Sequence, residues 1–488
     1  MSGRSSEAKA RSGAPHKGLM EGLQVYSLMN KKRQKNPKGT SRAEGQGEAL
    51  KSRDEGFEVF SAKIDTKEPA VTELMEEILD AENMKAAVRK VRQNKGSAGI
   101  DRVTVDDLGT YLKANWADIE RKILAGTYQP KPVRQVDIPK PDGGLRKLGI
   151  PCVIDRVIQQ AILQCLEPVW DPTFNDQSYG FRKGRSQHQA VERAQKLIQE
   201  ENYYVVDLDL EKFFDRVNHD ILMDRVSRRV NDKRVLKLVR AILNSGILDN
   251  GLVEPYDEGV PQGGPLSPLL SNLILDELDQ ELDRRKLQFV RYADDCNIYV
   301  KSERAGLRVK ESITRFLAKQ LRLRVNEEKS AVGKPQSRTF LGFTFGKAPR
   351  VLRIVSKKAL KRARQKIQQM TNFQREYGNF ERCCAQVGQY LRGWLQYFGK
   401  GDTPSDIKAI FGYARRRLRL VAWQNWRVAT KRRRGLMSMG IAEHTATIVA
   451  NSSMGAWRIA GNPAMHKAFP NKFFHQFGFP EMLGSLSL

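Results

Sequence analysis

Two adjacent aspartates inside an apolar run constrain this chain more than any other feature. Tyr292-Ala293-Asp294-Asp295 lies within residues 289–300, which are rich in Val, Ile, Phe and Tyr. Two apolar half-strands joined by Ala-Asp-Asp predict a tight β-hairpin with carboxylates at its tip. Adjacent carboxylates repel each other, so a cation between them stabilises the pair. The hairpin therefore favours a hard ion such as Mg²⁺, which prefers carboxylate and phosphate oxygens.

A second acidic cluster precedes this hairpin. Residues 205–215 (VVDLDLEKFFD) begin as an apolar strand and run into charge. Asp207 and Asp209 lie on one face of that strand, because strand side chains alternate with period two. Spacing alone leaves open which of the two works with the hairpin. One acid at the end of a central strand, beside a paired-acid hairpin, would form a site for two Mg²⁺ ions about 4 Å apart. Either motif alone could be an acid-capped surface hairpin, but the two together favour the metal site.

The charge balance indicates a polyanionic partner. The chain has 84 Lys and Arg against 56 Asp and Glu, a formal net charge of +28 that is spread along the sequence. Such a distribution favours a long nucleic-acid path over an ordinary solvated surface. No apolar run approaches the roughly 20 residues of a membrane span, and the N-terminus lacks the apolar core of a signal peptide. We therefore expect no membrane partner.

Cysteine usage indicates a reducing compartment. The five cysteines form no Cys-x-x-Cys pair, so the sequence has no zinc signature. An odd number without a signal peptide favours reduced thiols and a cytoplasmic location.

Hydrophobic periodicity predicts an α+β core followed by a helical, basic tail. Residues 1–65 are polar and charged, and we expect them to be disordered. Helical spacing is found at residues 71–93, 105–124, 155–169, 188–200, 220–248, 269–286 and 304–321, and throughout the chain beyond about residue 356. Strands are predicted at residues 133–139, 145–150, 203–210, 322–325 and 339–345, and turns at residues 140–144 and 259–268.

Together these motifs resemble the reverse transcriptases encoded by bacterial group II introns. The resemblance rests on YADD and on an ordered series of blocks at residues 94–101, 138–151, 178–185, 209–215, 259–268, 325–330 and 340–343. It implies an α+β right-hand polymerase with fingers, a palm built on an antiparallel sheet, an α-helical thumb and a basic helical C-terminal extension. The implied divisions are a basic segment (1–65), an N-terminal extension with fingers (66–200), a palm (201–350), a thumb or maturase domain (351–427) and a DNA-binding-like extension (428–488).

The resemblance also resolves the choice between the two strand acids. The family's acid precedes an aromatic residue by five positions, and Asp209 has a phenylalanine at that distance. It follows from the resemblance that Asp209, Asp294 and Asp295 are the catalytic residues and the ligands of two Mg²⁺ ions. Asp207 becomes a structural neighbour, and we expect Asp215 to be a helix N-cap.

The same resemblance implies nucleotide-binding and primer-binding residues. The nucleotide-binding residues are Lys140, Arg146, Phe214, Gln262 and Lys329, and the primer grip is Phe340, Leu341, Gly342 and Phe343. Cations at 140 and 146 would close on the triphosphate, and the ring at 214 would exclude a 2′-hydroxyl. Gln262 would bond the nucleotide or template, and Lys329 would protonate the leaving pyrophosphate. Each residue could instead be an ordinary surface cation or core side chain.

The basic tail is predicted to bind RNA or DNA. The candidate residues are Lys357, Lys358, Lys361, Arg362, Arg415, Arg416, Arg417, Arg432 and Arg433. Interleaved aromatic residues could stack on bases, although core packing is the commoner role of helical aromatics. The sequence shows no paired Cys-x-x-Cys motifs of the nuclease module found in many relatives. We therefore expect a form that depends on another source of primer.

The expected activity is RNA-directed DNA synthesis combined with maturase action in splicing and retrohoming. The expected partners are group II intron RNA, an RNA template with a DNA primer, target DNA and dNTPs, in the bacterial cytoplasm. Two alternatives stay open: a domesticated polymerase of DNA repair or phage defence, and a splicing cofactor without polymerase activity.

Overall fold

The computed structural model describes residues 73–139, 144–249, 252–254, 258–372 and 380–481. The expectation of disorder for residues 1–65, and the fingers-turn cation Lys140, lie outside these ranges. The described residues belong to one compact unit that spans Ala70–Leu488.

An antiparallel sheet of four strands, called the catalytic sheet below, carries the predicted catalytic acids on and beside its strands. Its strands are β3 (Tyr204–Leu208), β6 (Gln288–Tyr292), β7 (Asp295–Val300) and β8 (Ala331–Gly333), in the order β6-β7-β3-β8. Side chains alternate between its faces, so Val206 and Ile298 join one hydrophobic cluster while Val205 and Tyr299 join another. Both faces of this sheet are therefore covered, which holds the ends of β3 and β7 in a fixed relationship.

A second sheet contains the predicted fingers hairpin. Strands β1 (Val133–Pro139) and β2 (Leu145–Ile150) pair antiparallel, as the Asp-Gly-Gly turn signal predicts. Two short strands that the sequence did not reveal extend the sheet, β4 (Ile247–Asp249) and β5 (Leu252–Glu254), in the order β2-β1-β4-β5. A third, two-stranded sheet joins β9 (Phe343–Phe345) to β10 (Arg353–Val355).

Helices pack against both faces of the catalytic sheet. Those before the catalytic hairpin are α1 (Leu74–Leu79), α2 (Ala81–Asn94), α3 (Leu108–Leu124), α4 (Val153–Trp170), α5 (Gln187–Gln199), α6 (His219–Ser227), α7 (Lys233–Leu243) and α8 (Ser267–Arg284). After the hairpin comes α9 (Glu303–Phe316), which a π-helical turn (Leu317–Leu321) extends. The helices of the first group other than α5, together with α9, share one hydrophobic cluster with one face of the catalytic sheet.

The chain after β10 is helical, as predicted. Its helices are α10 (Lys357–Met370), α11 (Phe380–Phe398), α12 (Pro404–Asn425), α13 (Ala429–Ser438), α14 (Glu443–Ala450), α15 (Ala456–Ile459) and α16 (Pro463–Ala468), followed by a 3-10 helix (Asn471–Phe477). Their apolar faces, together with α5, form the second hydrophobic cluster against the other face of the catalytic sheet. Within the described residues, no helix is both long and apolar enough to span a bilayer.

Several local predictions were wrong. The helix predicted over residues 220–248 is interrupted, because Asp232 caps α7 through the Arg234 N–H and β4 follows. The helix predicted over residues 71–93 is also interrupted, since the Asp80 carboxylate caps a new helix there.

The predictions between residues 322 and 345 also need correction. The strand predicted at residues 322–325 is absent apart from a single bridge between Val325 and Leu210, because Arg322 turns the chain with a left-handed φ of 55°. The strand predicted at residues 339–345 is reduced to β9, since a tight turn occupies residues 340–343.

The expected cap at Asp215 was wrong as well. Asp215 ends a 3-10 turn (Phe213–Asp215), and the cap of α6 is Asn218, whose side chain accepts from the N–H groups of Asp220 and Ile221.

Candidate active site

The catalytic hairpin forms as predicted, with a two-residue turn. Tyr292 pairs with Asp295, which leaves Ala293 and Asp294 at the tip. Ala293 adopts a left-handed φ of 56°, which is uncommon for a residue other than glycine. Because β-hairpin turns of this length favour a positive φ at the first turn position, the strain fits the twist of the paired strands.

The strand register brings Asp209 to this turn. Leu208 of β3 pairs with Cys296 of β7 in an antiparallel ladder. Asp209 directly follows Leu208 and Asp295 directly precedes Cys296, so the two acids lie at the same end of this ladder. Asp209 is further fixed by its backbone: its N–H donates to Ser330 Oγ at 2.9 Å. The sheet therefore brings together the three acids that the sequence singled out.

The acids influence one another electrostatically. Burial, followed by the charges of Asp294, Asp207 and Asp209, raises the pKa of Asp295 to about 7. Burial and Asp209 also raise the pKa of Asp294, although a backbone hydrogen bond opposes the change. Asp295 keeps solvent-exposed surface at the start of β7, whereas the residues that follow it in the strand are buried. The site therefore concentrates negative charge in a place where a cation is favoured.

The donor set fits Mg²⁺. Among the described residues, no three His, Cys, Asp or Glu side chains are already arranged as a metal site. The three aspartates nevertheless supply hard oxygen donors, and the repulsion that raises the carboxyl pKa values is what a divalent cation relieves.

Asp207 has a different role from its neighbour Asp209. Its carboxylate accepts two hydrogen bonds from Arg338, from Nη2 at 2.7 Å and from Nε at 3.1 Å. Arg338 also donates to the carbonyl of Lys329 at 2.8 Å, which ties the segment after the hairpin to β3. Asp207 is thus engaged in an ion pair, in agreement with its assignment as a structural neighbour.

Sequence reasoning missed the support beneath the hairpin. Arg291 is fully buried, and its guanidinium donates to both carboxylate oxygens of Asp279, at 2.8 and 2.5 Å. It also donates to the Ala293 carbonyl in the turn at 2.9 Å and to the Asn272 side chain at 3.1 Å. Two features of the sequence could have revealed this network: the charged residue Arg291 inside an apolar run, and the acid Asp279 on the buried side of α8.

The block at residues 178–185 packs directly on the same turn. A Cβ at Gly180 would lie 2.1 Å from the Ala293 nitrogen, so only glycine fits there. The Gly180 carbonyl accepts from Asn272 Nδ2 at 2.9 Å, and Tyr179 N–H donates to the Arg291 carbonyl at 2.9 Å. Through these contacts, residues 178–185 stabilise the position of the turn that carries Ala293 and Asp294.

Of the two predicted nucleotide-binding cations that the structure describes, Arg146 and Lys329, only Arg146 contributes to the pKa shifts of Asp294 and Asp295. Arg146 is exposed on β2, and its charge lowers the pKa values of Asp294 and Asp295 against the larger opposing effects. Lys329 is also exposed, on the turn before β8. The structure therefore relates Arg146 electrostatically to the acidic site.

Phe214 and the loop at residues 259–268, which contains Gln262, are joined by a backbone hydrogen bond. Phe213 is buried and Phe214 is half-buried, with ring centroids 5.2 Å apart. The Phe214 carbonyl accepts from the Val260 N–H at 2.6 Å, and the Gln262 carbonyl accepts from the Gly149 N–H at 2.8 Å. The loop at residues 259–268 thus bridges the 3-10 turn after β3 and strand β2.

The comparisons with known proteins identify the family. Residues 138–345 match the reverse transcriptase (RNA-dependent DNA polymerase) family, and residues 360–440 match the maturase-specific domain of group II introns. Protein YkfC of Escherichia coli (strain K12) is 34% identical over 302 residues, 54% of this chain and 79% of YkfC. The group II intron-encoded protein LtrA of Lactococcus lactis subsp. cremoris is 33% identical over 206 residues, 42% of this chain and 34% of LtrA.

The chain belongs to the group II intron reverse transcriptase family. It carries a reverse transcriptase domain followed by a maturase-specific domain, as the motifs predicted, and the polymerase and maturase assignments are confirmed. The match with this chain covers about a third of the length of LtrA. A solved partial Cas6-RT-Cas1–Cas2 complex has a TM-score of 0.34 and 23% identity over 50% of this chain and 42% of that one.

The predicted nucleic-acid-binding residues of this family member fall into two groups. Lys357, Lys358, Lys361 and Arg362 are exposed on α10, within and just before the maturase-specific match. The arginines farther along the chain make internal contacts: Arg416 stacks on Trp457 at 4.2 Å and Arg432 stacks on Trp423 at 4.6 Å.

The remaining arginines make similar contacts. Arg417 donates to Thr371 Oγ1 at 2.8 Å, Arg433 pairs with Glu443, and Arg415 lies against Phe479. Such contacts stabilise the helical tail, so a nucleic-acid role for this second group stays a prediction, and α10 is the stronger candidate surface.

Proposed function

We propose that this chain copies group II intron RNA into DNA by two-metal nucleotidyl transfer at Asp209, Asp294 and Asp295, and that its helical tail binds the intron during splicing. The proposal is supported most strongly by the register that pairs Leu208 with Cys296, the residues next to Asp209 and Asp295, close to the turn that carries Asp294. Two Mg²⁺ ions bound there would activate the primer hydroxyl and stabilise the leaving pyrophosphate.

The surrounding residues of this chain would bind and orient the reactants. Arg146, together with Lys140, would contact the triphosphate, since its charge already acts on the acidic site. Phe214 would lie under the sugar and exclude a 2′-hydroxyl, while Gln262 would contact the nucleotide or template. Lys329 would donate a proton to the leaving pyrophosphate, and residues 340–343 would hold the primer end.

The proposed architecture is a right hand. Residues 66–200 would form the N-terminal extension and fingers, 201–350 the palm, 351–427 the thumb and maturase domain, and 428–488 a DNA-binding-like extension. The antiparallel catalytic sheet and the helices that make up the described chain after β10 are consistent with this division.

The proposed partners follow from the family and from the charge. Intron RNA, an RNA template with a DNA primer, and target DNA would bind along the basic helices, with α10 contributing exposed cations. We propose a bacterial cytoplasmic location. The maturase-specific match over residues 360–440 favours an intron-linked role over a domesticated polymerase, and the intact acids disfavour a splicing cofactor without polymerase activity.

Primer extension on an RNA template tests the proposal. The Asp294→Ala, Asp295→Ala double variant should lose cDNA synthesis in the presence of Mg²⁺ and dNTPs, while its binding of intron RNA in a filter assay stays within about twofold of wild type. Asp283→Asn, an exposed acid at the end of α8, is the matched control and should extend normally. Extension by the double variant at the wild-type rate would refute the active-site assignment.

A further inference from the structure

The segment predicted to grip the primer is a strained two-residue turn. Phe340 and Phe343 exchange both backbone hydrogen bonds, each at 2.9 Å. The two residues between them have left-handed backbones, Leu341 with φ 48° and Gly342 with φ 83°. Glycine adopts this conformation readily, whereas for a leucine it is unfavourable. Such a conformation persists only where surrounding contacts stabilise it.

Helix α11 supplies those contacts from outside the polymerase segment. Tyr397 donates its hydroxyl hydrogen to the Leu341 carbonyl at 2.8 Å. The neighbouring Phe398 ring covers Gly342, where an added Cβ would approach the ring to 3.1 Å. The rings of Tyr397 and Phe398 also lie 5.9 and 5.3 Å from the Phe343 ring.

Tyr397 is itself fixed in place. His188 of α5 donates from Nε2 to the Tyr397 carbonyl at 2.8 Å, and the two rings are 5.2 Å apart. This contact ties the end of α11 to a helix that packs on the same face of the catalytic sheet. The hydroxyl therefore has a defined position relative to the sheet.

The hydroxyl also lies within electrostatic range of the catalytic hairpin. Burial is the main cause of a raised pKa at Tyr397, and the Tyr292 phenol and the Asp295 carboxylate raise that pKa further. The group therefore stays protonated at neutral pH and remains a hydrogen-bond donor. Its one donated bond goes to the carbonyl of the strained leucine.

We propose that Tyr397 is a positioning residue that holds the turn at residues 340–343 in its left-handed conformation, so that the primer end is aligned with Asp294 and Asp295. The inference rests on the proposed polymerase function. It also means that a residue of the maturase-specific domain, which spans residues 360–440, contributes directly to the geometry of DNA synthesis. An ordinary core tyrosine would contribute packing only, and its hydroxyl would be dispensable.

Single-nucleotide addition by the full chain tests this role. Tyr397→Phe keeps the ring and removes the hydroxyl, and we expect kcat for the first addition to fall about 3- to 10-fold, the range that one lost hydrogen bond supports. The KM for dNTP and the melting temperature should stay close to wild type. Tyr390→Phe, on the same helix, is the matched control, because within the described residues no hydrogen bond from its hydroxyl is found.

A suppressor variant separates positioning from packing. Leu341→Gly removes the conformational cost at the turn, so the turn no longer needs the tyrosine hydroxyl. We expect the Tyr397→Phe, Leu341→Gly double variant to recover most of the lost kcat, whereas a packing defect would persist or worsen.

The outcomes are distinguishable from failure of the proposed function. If wild type shows no primer extension at all, the polymerase proposal fails. If wild type extends and Tyr397→Phe has the same kcat as Tyr390→Phe, or if Leu341→Gly gives no recovery, the positioning role is refuted.

Discussion

Arg291 and Asp279 form an ion pair in which both side chains have no solvent-exposed surface, directly beneath the catalytic turn. The guanidinium also donates to the Ala293 carbonyl, so the same arginine that neutralises Asp279 holds the strained residue next to Asp294. Desolvation of the two charges is compensated by at least four hydrogen bonds. The turn geometry therefore depends on a polar network in the core.

Substitution of this arginine should be costly. Arg291→Lys keeps the charge but cannot reproduce the paired bonds to Asp279 or the bond to Ala293. We expect the free energy of unfolding to fall by about 3 kcal/mol, together with a loss of polymerase activity. Chemical denaturation measures the change.

The control for this variant is on the surface of α8, the helix that carries Asp279. Arg284→Lys alters a pair with Glu281 in which the arginine is 71% exposed. It should change stability by less than about 1 kcal/mol. Equal effects of the two substitutions would contradict the anchoring role of Arg291.

The raised pKa of Asp295 predicts how stability depends on pH and metal. The carboxyl has an ordinary pKa of 3.8 and a value of about 7 in the folded protein, so the native state prefers the protonated form. In the absence of metal, ionisation of Asp295 does not affect the free energy of unfolding below about pH 4. As the pH rises from about 4 to about 7 it lowers the free energy of unfolding progressively, and above about pH 7 the effect is complete.

Thermal denaturation at pH 4 to 8 tests this dependence. Without Mg²⁺, Asp295→Asn should show a smaller loss of melting temperature between pH 5 and pH 8 than wild type. Added Mg²⁺ at pH 8 should stabilise wild type by about 2–4 °C and the variant less. Identical pH slopes for the two proteins would refute the electrostatic account.

The exposed face of α10 should contribute to RNA affinity through phosphate contacts. Substitution of Lys357 and Lys361 by Gln should weaken binding and lower the slope of log affinity against log salt by about 1 to 2. Lys113→Gln, an exposed cation on α3, serves as the control and should leave the slope unchanged. An unchanged slope in the α10 variant would place the RNA elsewhere.

The features that sequence could predict are those encoded locally. The hairpin at residues 133–150 and the YADD hairpin follow from alternation and from turn residues, and both form with the expected pairing. The choice of Asp209 over Asp207 came from family resemblance and stays a prediction; in the structure the Asp207 carboxylate is paired with Arg338.

What sequence could not predict depends on distant contacts. Nothing near Arg291 in sequence specifies that Asp279 lies within hydrogen-bonding distance of it. The turn at residues 340–343 reads as a strand because Phe340, Leu341 and Phe343 are apolar, and its left-handed backbone is stabilised by Tyr397, more than 50 residues away. The break before α7 depends on a side-chain cap at Asp232, which competes with helix propensity.

We expect Asp209, and not its neighbour Asp207, to act with the hairpin acids in catalysis. The test is primer extension on an RNA template by the Asp209→Asn and Asp207→Asn variants. The two substitutions are isosteric and lie two residues apart, in β3 and directly after it. Asp209→Asn should lower kcat by about 10³-fold, whereas Asp207→Asn, which weakens a partly exposed ion pair, should stay within about fivefold of wild type. Wild-type activity in Asp209→Asn, or equal losses in both variants, would contradict the assignment.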